Sequence, residues 1–130
     1  RNSLKDELLR KGLAKLNEEN ERMLMLSDGY LCGYIMKEGS DVDDESTWEK
    51  IDGLVIPDNV KTIGTEAFMG FLVKSITFGS GVKYVEENVL LAAFVPGEYR
   101  SMATIYVKNH DIVISKKAFD ANDQINIVMA

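Results

Sequence analysis

At 130 residues, with 45% apolar and 28% charged side chains, the chain is sized for one domain and can bury a core, which excludes a disordered polymer. Its net charge of −6 comes without any clustered positive stretch, so direct nucleic-acid binding is not expected, and no apolar run reaches the roughly 18 residues of a membrane span. A single cysteine, Cys32, allows no internal disulfide.

Eleven of the first 26 residues are charged, which excludes a secretory leader within them. The chain opens at Arg1, so the removal of an earlier leader stays open. A cytoplasmic site is expected for the chain as it stands, and a cell-surface site if a leader was removed. Residues 3–26 read as an amphipathic helix. Ser3 can cap it with Asp6 three residues on, and Leu4, Leu8, Leu9, Leu13, Leu16, Met23 and Leu24 recur mostly at three and four. Gly12 marks a kink.

Ser27-Asp28-Gly29 then turns the chain into a strand, Tyr30 to Met36, with Gly33 as a bulge or close approach. An acidic loop over 38–52 follows, with Trp48 inside it. Residues 28–52 hold eight acids against two lysines, so the net charge of that stretch alone is −6.

From Gly53 the sequence repeats. Shifted by 22 residues, Leu54, Ile56, Val60, Ile63, Ala67 and Phe68 fall on Ile76, Phe78, Val82, Val85, Val89 and Leu90. A third copy runs from Ile105 and Val107 through Ile114 to Ala118-Phe119, offset by 29, with the seven extra residues placed as a loop over 92–101. In this copy Asp111 stands in the slot of Val60 and Val82. Ile112 or Val113 is expected to fill that slot, since a buried unpaired carboxylate is costly. A fourth copy begins at Ile125. Self-similarity at this period predicts stacked coils that cannot close a core singly. In each coil a short strand turns two side chains inward and one outward, and the Ala67-Phe68 slot is expected on a tight helical turn.

The line Leu54-Val55-Ile56-Pro57-Asp58-Asn59-Val60-Lys61-Thr62-Ile63-Gly64, ending in Ala67-Phe68, resembles the BspA-type, or Treponema-type, leucine-rich repeat. The match is partial over 76–90 and recognisable at Ile114-Ser115-Lys116-Lys117-Ala118-Phe119. The resemblance covers residues 29–130. It implies a non-enzymatic binding role and a right-handed stack of parallel strands. The expected fold class is therefore a β-rich α/β solenoid, a short leucine-rich-repeat stack capped by the N-terminal helix. The expected units are the helix, 1–28, and the repeat domain, 29–130, with coils opening near residues 53, 75, 104 and 125.

No catalytic constellation emerges. His110 is the sole histidine, and Cys32 sits in an apolar strand. Gly79-Ser80-Gly81 lacks the lysine and hydroxyl of a phosphate loop. Asp41, Asp43 and Glu45 alternate as calcium ligands would, but Ser46 occupies the position of the required glycine and Asp52 that of the bidentate glutamate. No catalytic residue, metal site or cofactor is expected, and a hydrolase using the loop carboxylates is set aside for want of burial.

The leading expectation is a protein–protein interaction module whose outward ladder carries the contact. One row is Gly53, Ser75, Thr104 and Asn126, and the next is Val55, Thr77, Tyr106 and Val128, with Tyr106 as anchor. The alternative is a small phage or mobile-element inhibitor of the anti-defence (anti-CRISPR) type. It would block a host nuclease through Asp41, Asp43, Asp44, Glu45 and Trp48 of the acidic loop. A homo-oligomer through the C-terminal strand edge is also expected.

Overall fold

The computed structural model describes residues 2–90, 102–119 and 124–130; the loop placed over 92–101 lies outside them. A short helix, α1 (Asn2–Arg10), is followed by β1 (Lys15–Asn17), β2 (Asn20–Leu26), β3 (Tyr30–Tyr34), β4 (Glu49–Ile51), β5 (Leu54–Ile56) and β6 (Thr62–Ile63). Then come β7 (Phe71–Val73), β8 (Ser75–Phe78), β9 (Tyr84–Val85), β10 (Met102–Val107), β11 (Val113–Ile114) and β12 (Gln124–Met129).

The expected α/β leucine-rich-repeat solenoid under a helical cap is overturned. Among the described residues strand predominates and helix is a minor part, in three open sheets that are mixed or purely parallel. Their strand orders are β1-β2-β3-β6-β9-β11, β12-β10-β8-β5 and β4-β7. The expected helical turns at Ala67-Phe68 and Val89-Leu90 do not form either. Glu66 and Asn88 sit at φ of 60° and 56°, a left-handed backbone that no α-helix accommodates. Backbone bonds stack these turns instead: Glu66 N donates to Asn88 O (3.1 Å), and Asn88 N to Lys117 O (2.8 Å).

The helix expected over 3–26 stops at Arg10. Gly12 takes φ of +72°, and Asn17 and Asn20 then frame a two-residue hairpin loop. The Glu19 N–H donates to Asn17 Oδ1 at 2.9 Å and the Arg22 N–H to Asn20 Oδ1 at 3.0 Å, a local bonding habit that competes with helix. Leu13 is left 62% exposed, while Met23 and Leu24 are fully buried on a strand. What flanks β3 is therefore a β-hairpin rather than a leucine-faced helix. The β2–β3 pairing slips where Leu24 meets Gly33 and Met25 meets Leu31, so the bulge falls at Cys32.

Parallel pairing reproduces the repeat spacing. Leu54 pairs with Ile76 and Ile63 with Val85, both 22 apart; Ile105 pairs with Ile76 and Val113 with Tyr84, both 29 apart. β4 and β7 keep the 22-residue offset on the third side, Glu49 opposite Phe71. Inward residues of all three sheets merge into one core, with Ile56, Phe68, Ile76, Val82 and Ile105 fully buried. In the third copy Asp111 is exposed and Ile112 packs against the core in its place.

Arg22 ties the hairpin to this body. Its guanidinium donates to both Glu49 oxygens (2.8 and 2.7 Å) and twice to the Ile35 carbonyl (3.1 and 2.7 Å). Its carbon lies 4.6 Å from the Tyr34 ring centroid and 5.8 Å from that of Phe71. Bidentate pairing with stacking is the geometry that suits arginine. Hydrogen bonding to Arg22 holds the Glu49 carboxyl below its ordinary range.

Two predictions follow from the packing. Phe68→Ala should cost about 3–5 kcal/mol by opening a core cavity, whereas the half-buried Phe119 should cost about half as much. Urea midpoints decide this, and equal shifts would show that the two slots are not packed differently. The second concerns β12. Among the described residues no strand pairs with its outer edge, and its segment Gln-Ile-Asn-Ile-Val-Met carries neither charge nor proline. Light scattering should show mass rising with concentration, and Ile127→Lys should abolish the rise; one constant mass would mean that the edge stays solvated.

Candidate functional site

The outward ladder is assembled by strand pairing alone. Val55 lies opposite Thr77, Thr77 opposite Tyr106, and Tyr106 opposite Val128. Ser75, Thr104 and Asn126 form the neighbouring row, with Ser75 Oγ donating to the Asp52 carbonyl at 2.9 Å beside Gly53. Strands about 4.8 Å apart give the row a length of about 14 Å. Val55 is 64% exposed, Tyr106 41%, and Val128 is exposed too, while Thr77 and Thr104 are half-buried.

The acidic loop is built differently from expectation. Asp41, Asp43 and Asp44 are exposed and Glu45 is half-buried, but Trp48 is only 6% exposed. Its indole N–H donates to the Asp41 carbonyl at 3.0 Å, so Trp48 is a core residue and is withdrawn as a contact. The carboxylates partly serve the loop itself. Asp41 Oδ1 accepts the Asp43 N–H (2.9 Å), and Asp44 Oδ1 accepts the Ser46 N–H and hydroxyl (3.1 and 2.6 Å). Among the described residues no group of three or more His, Cys, Asp or Glu side chains is placed to hold a metal ion. His110 is exposed with Nε2 at 2.6 Å from the Ala130 carbonyl, and the Cys32 thiol donates to Leu24 O at 3.3 Å. The Ser80 N–H donates to Asp58 Oδ1 at 2.8 Å, a bond that makes Gly79-Ser80-Gly81 an inter-repeat turn and keeps the Asp58 carboxyl below its usual range.

The structure adds a second outward row on the six-stranded sheet: Tyr30, Thr62, Tyr84 and Val113. Thr62, Tyr84 and Val113 stand 22 and 29 residues apart, so the repeat already carried their alignment. Tyr30 comes from β3, outside the repeat, and no spacing could place it. Gly64 admits its ring, since a Cβ there would fall 2.6 Å from ring carbons. The Tyr30 hydroxyl donates to Glu86 Oε1 at 2.6 Å, and the same oxygen lies 3.2 Å from the Thr65 N–H and 3.4 Å from its hydroxyl. A shallow groove of about 580 Å³ runs along this row.

Burial, then the Glu86 carboxylate, pushes the Tyr30 phenol up to about 12. Because the folded value is raised, this contribution to stability is whole below about pH 10 and drains away as pH climbs toward 12. Ultraviolet titration should therefore show Tyr30 ionising late, as a step that Tyr30→Phe removes. Glu86→Gln should bring it down only in part, because burial is the larger cause. A late step that survives in Tyr30→Phe, or no late step in the wild type, would refute the assignment.

Comparison with known proteins finds no matching family model, no similar curated protein and no similar solved structure.

Proposed function

We propose that this chain is a non-enzymatic protein-binding module, with Val55, Thr77, Tyr106 and Val128 as its contact strip and Thr104 and Asn126 alongside. The observation that supports it is the continuous row these residues form, with apolar and aromatic side chains turned to solvent across four hydrogen-bonded strands. An ordered sheet presents them without loop-ordering cost, and tyrosine at the centre of a patch is a common hot spot. A second reading, inhibition of a host nuclease through the acidic loop, draws support from Asp43 and Asp44, which stand exposed on a turn fixed by its own hydrogen bonds.

Affinity capture from a native lysate, with mass-spectrometric identification, supplies the partner for a quantitative test. Tyr106→Ala should leave the melting temperature nearly unmoved and weaken that complex by about 2 kcal/mol or more. Equal affinity for wild type and Tyr106→Ala would remove the ladder as the contact. Asp43→Asn with Asp44→Asn, together with a steep salt dependence, would then point to the loop.

A further inference from the structure

The groove along Tyr30, Tyr84 and Val113 has a chemistry that the ladder lacks. Glu86 is held in place entirely by neutral donors, all on Oε1: the Tyr30 hydroxyl and the Thr65 N–H and hydroxyl. Among the described residues Oε2 accepts no hydrogen bond, and the ion pairs there are Lys11 with Glu7 and Arg22 with Glu49, neither involving Glu86. Lys61 and Lys83 flank the row without lining the groove. The result is a positioned carboxylate with its charge unanswered, reinforced by exposed Glu87 next to it. Tyr84, two residues before Glu86, is 54% exposed, and Val113 lies beside it on the neighbouring strand, also exposed.

A fixed carboxylate next to an accessible aromatic face calls for a planar cation that can pair in plane and stack on its face. The chain already satisfies this demand once internally, where the Arg22 guanidinium pairs with Glu49 and covers Tyr34. We propose that the groove takes the guanidinium of an arginine carried by an extended, basic segment of a partner protein. The row is about 14 Å long, the reach of about four residues of extended peptide, and Val113 gives the flanking side chains an apolar seat. The groove's own lining holds two carboxylates, Glu86 and Glu87, and no lysine or arginine, and that local charge favours the same class of partner. The site lies on a different sheet from Tyr106, so it stands or falls independently of the reading above.

The test uses a fluorescein-labelled octapeptide of alternating arginine and threonine, and its counterpart with citrulline, which keeps the shape and loses the charge. Fluorescence anisotropy should show the arginine peptide binding about tenfold or more tightly than the citrulline peptide. Glu86→Gln and Tyr84→Ala should each weaken it by about tenfold. Asp43→Asn with Asp44→Asn, and separately Tyr106→Ala, should leave it within about twofold, as expected for distant independent sites. Urea midpoints of the Glu86 and Tyr84 variants confirm that each is folded, since glutamine keeps an acceptor for Tyr30 and Tyr84 is exposed. Equal binding of the citrulline peptide would overturn the proposal. So would loss of binding in the acidic-loop variant, which would reveal diffuse attraction to the negative surface. A peptide that does not bind, combined with self-association that depends on Tyr84, would assign the groove to a second copy of this chain.

Discussion

Parallel register is the constraint on which the rest of the molecule depends. Leu54, Ile76, Ile105 and Ile127 are successive partners across one sheet, and a slip of one residue at β5, β8 or β10 would turn its buried apolar set to solvent. With the register held, three sheets deliver side chains to a single interior, and the same pairing lines up the outward residues without further design. Core and ladder are two faces of one set of hydrogen bonds. The interior is sealed unevenly along the sheet: Leu54, Ile76 and Ile105 are buried, and Ile127 is 44% exposed.

The opposite end is closed by a device of another kind. The β1–β2 hairpin lies against β3, and Arg22 reaches from it to Glu49 on the two-stranded sheet. A half-buried guanidinium with both carboxylate oxygens, a carbonyl and two rings as neighbours has little unsatisfied polarity. The clamp thus joins two sheets that share no backbone ladder. Tyr34 extends the contact inward, its ring 5.2 Å from Phe71 and 5.6 Å from Phe68.

Much of the repeat region was legible in the sequence because identical slots recur at a fixed offset. The rows through Val55 and Tyr106, and the substitution of Ile112 for Asp111 in the core, follow from that offset. The N-terminal region was not legible, because its leucines happen to match a helical period. The deciding information lay in Gly12, Asn17 and Asn20, whose local hydrogen bonds and left-handed backbone outweigh weak helical propensity. Trp48 misled in another way. An aromatic among acids suggests a contact, yet its burial depends on a carbonyl seven residues back, which no local pattern announces. Tyr30 and Glu86 are 56 residues apart and meet only when β3 joins the parallel strands.

The interval between the second and third copies exceeds the first by seven residues, yet strands on both sides of it shift together: Ile105 meets Ile76 and Val113 meets Tyr84 at the same offset of 29. Connection length and strand register are therefore separate variables in this architecture. Closing a longer loop costs little, since the entropy grows only logarithmically with its length. The spacing between two copies can accordingly change by several residues while the sheets on either side keep one common offset, so a stack of this kind tolerates copies of unequal length without re-pairing their neighbours.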